Sequence, residues 1–195
     1  MKMTWLAIGS VALAMCATAA TAAAQEATMF GDDLAFLKEH LDVIVLSEDD
    51  AQVAVVPAYQ GRVMTSTAAG AEGLSYGWIN RELIASGEIK EHINVYGGED
   101  RFWMGPEGGQ YAIFFSDKSP FDLEHWQTPA VIDTEPFEVV SKDKTQATFR
   151  RRALIDNWTG TYFDVLIDRS VRLLDGKTAA DKLGLDVPEA VKLVA

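Results

Sequence analysis

Short runs of β-branched residues separated by polar turns dominate the first half of the chain. The runs at 42–47, 52–58 and 61–67 predict three strands. The acidic stretch 48–51 lies between the first two runs and is typical of a turn, so these strands are predicted to form a hairpin.

The second half shows the same alternation. We predict a strand over 111–116, a hairpin formed by 137–141 and 145–155, and a long strand over 161–174. In the long strand the residues expected to face the core alternate with polar ones; they are Phe163, Val165, Ile167, Val171 and Leu173.

Two segments instead show helical spacing, near residues 32–41 and 78–86. In the first, Leu34, Leu37 and Leu41 share one face, and Asp32 or Asp33 is the expected N-cap because aspartate is a preferred cap residue. Gly87 is expected to end the second. The predicted fold is therefore mainly β, an antiparallel arrangement with two short helices.

Residues 1–24 have the features of a secretory signal peptide. Lys2 precedes an apolar run at 5–17, and the small residues that follow suggest a cleavage site after Ala24. A membrane anchor is the alternative, but the run is shorter than the roughly 20 apolar residues that a span needs. We expect a secreted or periplasmic protein with one domain over 25–195 and no integral membrane segment after cleavage.

Cys16 is the only cysteine in the 195 residues. Lipid attachment to Cys16 is disfavoured because the preceding Met15 is bulky. The mature chain would contain no disulfide, thiol nucleophile or cysteine-ligated metal. The formal net charge of −12 disfavours nucleic acid and anionic membranes as partners. No metal-binding motif, phosphate loop or GxSxG elbow is present, so we predict no metal and no cofactor.

Three loop segments, at 73–82, 92–110 and 121–126, combine tryptophan with charged and amide side chains. Such a mixture suits sugars, because aromatic rings pack on the pyranose face and planar polar groups bind neighbouring hydroxyls. The binding residues predicted on this basis are Asn94, Arg101, Trp103, Trp126, Trp78 and Arg81. Trp103 and Trp126 are the candidate platforms; the alternative is that both tryptophans belong to the core.

Acid–base residues occur in the same loops. A histidine beside a carboxylate can exchange protons near neutral pH. The catalytic candidates are His125, His92, Glu99, Asp100 and Glu107. The alternative for the run Glu99–Asp100–Arg101 is a local ion pair that braces the loop.

Four strings together resemble a known family: "VAVVPAYQGRVMTST", "GWINRELI", "INVYGGEDRFWMGPEGGQYAIFF" and "PFDLEHWQTP". They are similar to a family of uncharacterised secreted bacterial proteins related to the galactose mutarotase-like (aldose 1-epimerase-like) superfamily. The resemblance implies an antiparallel β supersandwich, a carbohydrate cleft, and a longer chain of which this sequence is an incomplete, N-terminal portion.

The resemblance to aldose mutarotases is partial at the catalytic positions. Those enzymes place a histidine before a Gly-Gly pair, where this chain has Tyr96 before Gly97 and Gly98. Their Asn-His-x-Tyr-Phe string is absent, and their base glutamate would follow Ala195. The fold can therefore be kept while the reaction is lost or altered.

Three functions are compatible with these features. The first is a carbohydrate-binding protein of the bacterial envelope whose partner is a saccharide or another hydroxyl-rich small molecule. The second is a sugar isomerase of mutarotase type, or another carbohydrate-active enzyme, with a histidine–carboxylate pair. The third is a non-catalytic structural protein of the envelope.

Overall fold

The computed structural model describes residues 28–188 and 192–195. The predicted signal peptide, Cys16 included, lies outside the described residues. The described part of the chain is mainly β, with two antiparallel sheets and three short α-helices. In chain order the elements are α1 (Phe30–His40), β1 (Ile44–Glu48), β2 (Ala51–Val56), β3 (Arg62–Thr67), α2 (Arg81–Ser86), β4 (Glu138–Lys142), β5 (Gln146–Asp156), β6 (Tyr162–Leu174), α3 (Gly176–Leu183) and β7 (Leu193–Val194).

The first sheet has the order β1-β2-β3 and contains the three strands predicted from the first half of the chain. β1 and β2 form the expected hairpin, in which Ile44 pairs with Val55 and Glu48 with Ala51. The turn places Asp49 in the left-handed region, at φ 52°, which aspartate tolerates better than most residues.

The second sheet has the order β4-β5-β6-β7. β5 and β6 pair continuously from Gln146–Arg172 to Asp156–Tyr162. The predicted buried face of β6 is confirmed at Ile167, Val171 and Leu173. Val165 is only half-buried, and Phe163 at the beginning of the strand is 44% exposed, because both side chains line an apolar hollow beside the loop 104–113.

Two hydrophobic clusters lie on opposite faces of the first sheet. The face that includes Leu46 and Val53 packs against Phe149 and Val171 of the second sheet. The other face includes Val56 and is covered by α1, α2 and the loops next to them. These parts of the chain therefore form three layers: the pair α1 and α2, the first sheet and the second sheet.

Both predicted helices are present, but the cap predicted for α1 is wrong. α1 begins at Phe30, and its N-cap residue Met29 makes no side-chain cap bond. Asp33 is instead buried in the first turn, where its carboxylate binds Arg81 at 2.6 Å. In α2, the side chain of the N-cap residue Asn80 accepts from Leu83 N–H. Gly87 forms the left-handed C-cap that the sequence predicted.

The strand predicted over 111–116 is also wrong, because this segment is irregular. Three of its apolar residues are nevertheless buried: Ala112 and Phe114 are at most 1% exposed, and Phe115 is 9% exposed. Its backbone bonds go to scattered partners: Ala112 C=O accepts from Trp158 N–H, and Phe114 C=O accepts from Gln127 N–H. A short apolar run does not by itself specify a strand ladder.

None of the described helices is both long and apolar enough to cross a bilayer. Residues 28–188 and 192–195 also contain no group of three or more His, Cys, Asp or Glu side chains arranged to hold a metal ion.

Candidate functional site

The Gly97–Gly98 pair closes a loop over the edge of β3. Both glycines have positive φ, at 90° and 112°. A Cβ on Gly98 would lie 2.8 Å from Cδ of Arg62 and 2.9 Å from the carbonyl oxygen of Val63, so only glycine fits. The close approach lets Gly97 C=O accept from Arg62 Nη1 at 2.9 Å.

The three charged residues after this pair connect the loop to the rest of the molecule. Their side chains bind partners outside the run, so the alternative of a local ion pair within it does not describe how the loop is held. Glu99 accepts from Ser66 Oγ at 2.9 Å, Asp100 accepts from Val63 N–H at 2.8 Å and binds Arg169, and Arg101 binds Asp133 at 2.7 Å.

Two side chains of the same loop, Glu99 and Arg101, have pKa values that differ from the ordinary values of these residues. Partial desolvation raises the pKa of Glu99, although its hydrogen bonds with Ser66 act in the opposite direction. Burial lowers the pKa of the Arg101 guanidinium, and Asp133 offsets part of that effect.

Asn94 and His92 hold neighbouring loops together. Asn94 is 0% exposed, and its side-chain amide binds Lys90 and Asp133. His92 Nδ1 donates to Trp126 C=O at 2.7 Å. Their described contacts thus brace the loop between α2 and β4.

The two candidate platforms flank one buried ring. Trp103 and Trp126 lie 5.2 and 5.4 Å from Phe114, measured between ring centroids, and Trp126 stacks at 15°. The guanidinium of Arg101 lies 4.3 Å from the centre of the Trp103 ring, and Trp103 Nε1 donates to Glu107 at 2.7 Å. Both indoles are half-buried against the core, which favours the core alternative for each, and their role in sugar binding stays a prediction.

Trp78 and Arg81 belong to the helical layer. Arg81 binds Asp33 of α1, and its guanidinium lies 4.5 Å from the ring centre of Phe36. Trp78 is 45% exposed, and Gly97 packs against its backbone. The structure therefore separates these two predicted residues from the Trp103–Trp126 group.

A cleft of about 570 Å³ lies beside β5 and contains one predicted catalytic residue, His125. It exists because the ladder between β4 and β5 ends at Glu138–Arg150. From 151 to 156, β5 has no strand next to it on that side among the described residues, and the segments 113–116 and 125–131 form the opposite wall. The polar side chains lining the cleft include His125, Gln127, Thr128, Glu135, Arg151 and Asp156.

Charged groups in this cleft are paired and partly buried. Arg151 binds Glu135, while Arg151 Nε and Thr128 Oγ1 are buried without a protein partner in the part of the chain described. His125 Nδ1 donates to Asp122 at 2.6 Å, and this hydrogen bond is the main reason that the pKa of Asp122 lies below its usual range. The cleft thus presents a guanidinium, a carboxylate and an oriented imidazole.

Sequence reasoning missed Gln127, Glu135 and Arg151. The signal for Arg151 was present in the "FRRR" run of β5. Strand alternation places Arg151 on the same face as the buried Phe149, whereas Arg150 and Arg152 point the other way. Glu135 lies in a loop whose path no local pattern predicts.

A second hollow, of about 890 Å³, lies between the β1–β2 turn and β7. Its lining includes Ser66, Tyr76 and several acids, and none of the predicted site residues. Lys192 lies 3.3 Å from Asp49 there, so that charge is already paired. The cleft beside β5 is therefore the stronger candidate, because it combines a predicted residue with planar polar groups.

Comparison with curated proteins finds no match to this chain, and comparison with solved structures finds none. A protein-family model described as a family of unknown function, DUF6786, matches residues 28–195. The match spans nearly all of the chain, and the protein belongs to this family.

Proposed function

We propose that this protein is an exported carbohydrate-binding protein and that a saccharide binds in the cleft beside β5. The observation that carries the proposal is the set of planar polar groups around one hollow, formed by Arg151, Glu135 and Gln127. Guanidinium, carboxylate and amide groups can each bind two neighbouring hydroxyls, which is the chemistry that a sugar requires.

The size and walls of the cleft support this ligand class. A volume of about 570 Å³ falls within the range of roughly 300–1,000 Å³ that is usual for ligand pockets. Ile113 and Leu154 are apolar residues of the lining, and the buried Phe114 belongs to the same wall. Phe114 is itself fixed between Trp103 and Trp126, so the tryptophans would support the wall of the site.

The finer fold is part of the same proposal. Two antiparallel sheets with a shared core are compatible with a galactose mutarotase-like supersandwich. Such a fold would agree with the family resemblance of the loop strings. Export follows from the predicted signal peptide.

Isothermal titration against a panel of neutral and acidic monosaccharides and disaccharides tests the proposal. Arg151→Met should weaken binding at least about tenfold, because a charged hydrogen bond contributes roughly 1.5–3 kcal/mol. Arg150→Met is the matched control, since Arg150 is adjacent in β5 but pairs with the exposed Asp168 at 2.7 Å.

A second variant separates binding from folding. Glu135→Gln keeps the shape of the side chain and should also weaken binding, with an unchanged circular dichroism spectrum. Equal affinities of the Arg150 and Arg151 variants would contradict the cleft as the site. Absence of binding across the panel would contradict the function.

One observation favours a second candidate, a mutarotase-like enzyme. Asp122 fixes Nδ1 of His125, and Nε2 forms no hydrogen bond with the described residues. Protonated His125 would give its Nε2 proton to the ring oxygen while Glu135 removes the proton of the anomeric hydroxyl, so the ring opens to the aldehyde. Closure reverses both transfers and interconverts the anomers.

Magnetisation-exchange NMR on a sugar that binds distinguishes the enzyme from a binder. The enzyme would accelerate anomer exchange, and His125→Ala would abolish the acceleration with affinity largely retained. His40→Ala, in α1, is the matched control. A wild-type protein that binds without accelerating exchange would rule out the second candidate.

A further inference from the structure

An apolar hollow of about 320 Å³ lies between the loop 104–113 and the end of the β5–β6 hairpin. Its lining includes Met104, Pro106, Tyr111, Ile155, Phe163 and Val165, and none of the described residues that line it is charged. The polar side chains named for the cleft beside β5 do not line it. The apolar hollow is therefore a separate site with a different chemistry.

Hydrogen bonds fix both walls of the apolar hollow. The loop closes on itself, since Ile113 N–H donates to Pro106 C=O at 3.2 Å, and Trp158 N–H donates to a further carbonyl of the same loop at 2.7 Å. The opposite wall belongs to the β5–β6 ladder, in which Ile155 pairs with Phe163. The space is thus formed before a ligand binds.

Apolar side chains at the mouth of the hollow remain in contact with solvent. Tyr111 is 61% exposed, and Phe163 and Val165 are only partly covered. Exposed apolar surface grouped around a concave site is typical of ligand-binding grooves. A ligand that covered these side chains would gain free energy from their removal from water.

One polar side chain of the lining lacks a partner for its donor. Asn157 is 2% exposed and lines the hollow. Its Oδ1 accepts from Thr159 Oγ1 at 2.8 Å and from Thr161 N–H at 3.0 Å. Nδ2 has no acceptor among the described residues. Because buried polar groups in folded proteins are hydrogen-bonded in the great majority, this donor indicates a ligand that brings an acceptor.

We infer that the apolar hollow binds a small, uncharged aromatic molecule with one hydrogen-bond acceptor, such as an aryl ketone. The ring would pack against Met104 and Phe163, since thioether and aromatic side chains both make favourable contacts with aromatic rings. The acceptor would bind Asn157 Nδ2. Water alone would satisfy Nδ2 but would leave the apolar lining hydrated, whereas such a molecule satisfies both.

The size and charge of the hollow define the ligand further. A volume of about 320 Å³ lies at the lower end of the range of roughly 300–1,000 Å³ that is usual for ligand pockets. This volume favours a single ring or a fused pair. A charged ligand is disfavoured, because the lining offers no countercharge to an ion that leaves water.

NMR titration of the unaltered protein with acetophenone tests the inference. We expect saturable shifts of the backbone amides at 104–113 and 163–165 and of the Asn157 side-chain amide, with a dissociation constant of about 1 mM or below. Absence of saturable shifts, or shifts confined to other parts of the molecule, would overturn the inference. Binding that leaves the Asn157 side-chain amide unshifted would overturn the role of the acceptor.

Variants of β6 test whether acetophenone occupies this space. Val165→Phe extends a ring into the hollow and should weaken binding at least about tenfold, because two groups cannot fill the same volume. Leu166→Phe is the matched control and should bind normally, since Leu166 is the next residue, points to the opposite face and is 58% exposed.

Phe163→Ala provides a second variant that adds no bulk. It removes part of the wall and should weaken binding at least about threefold. Unchanged affinity in either the Val165 or the Phe163 variant, with an unchanged circular dichroism spectrum, would overturn the inference. The titration uses no sugar, so its outcome does not bear on the saccharide site.

Sedimentation equilibrium distinguishes a small ligand from a second copy of the chain as the occupant. We expect no self-association through this surface in the unaltered protein. A dimer that Phe163→Ala dissociates would show that another copy covers the hollow, and it would overturn the inference.

Discussion

Arg169 of β6 binds the carboxylate of Asp100 in the loop that follows the Gly97–Gly98 pair. The other oxygen of this carboxylate accepts from Val63 N–H of β3 at 2.8 Å. One side chain thus joins the edge of the first sheet to the second sheet. Arg169 lies on the inward row of β6 and is only 15% exposed, so this ion pair is protected from solvent on one side.

Arg169→Met should destabilise the protein by about 1–3 kcal/mol, because it leaves a partly buried carboxylate without its charged donor. Arg150→Met should cost less than about 1 kcal/mol, since Arg150 belongs to an exposed pair. Urea unfolding followed by circular dichroism measures both. Equal losses for the two variants would show that Arg169 and Asp100 do not join the sheets.

Gly98→Ala should cost more than about 2 kcal/mol, because a positive φ and a close backbone oxygen act together at this position. The same substitution at Gly108 should change stability by less than about 0.5 kcal/mol, since a Cβ there would meet nothing within 4 Å. The two unfolding curves provide the comparison. A tolerated alanine at 98 would contradict the observed loop path.

The raised pKa of Glu99 predicts how its contribution changes with pH. The folded state binds the Glu99 proton more tightly than the unfolded state, so the ionised carboxylate destabilises the fold above the folded pKa. This cost disappears as the pH falls below the ordinary glutamate pKa of about 4.3.

Glu99→Gln should therefore be more favourable for stability at neutral pH than at about pH 4. Glu72→Gln removes the same charge from an exposed position and corrects for net charge. Thermal melts of the two variants across this pH range measure the difference. A Glu99→Gln effect that becomes more favourable as the pH falls would contradict the raised pKa.

Much of the fold follows from local sequence patterns. The β1–β2 hairpin, the β4–β5 hairpin and the Gly87 cap rest on residues close together in the chain, and all three were predicted. The irregular path of segment 111–116 was not predicted, because its backbone partners, such as Gln127 and Trp158, are distant in the chain or lie in loops. Local alternation contains no information about such partners.

The candidate site was less predictable than the fold. His125 was identified from its chemistry, but Arg151 and Glu135 meet it only through the end of the β4–β5 ladder. The run Glu99–Asp100–Arg101 suggested a local ion pair as one interpretation, whereas each of the three side chains binds a residue from another part of the chain. Arg169 escaped notice because it interrupts the apolar row of β6 with a charge.

The central claim, a saccharide site in the cleft beside β5, is tested most directly by amide chemical-shift mapping during titration with a sugar from the binding panel. We predict saturable shifts at residues 125–128 and 151–156 and at Glu135. Shifts confined to the hollow near Tyr76, or no shifts with any sugar of the panel, would contradict the claim.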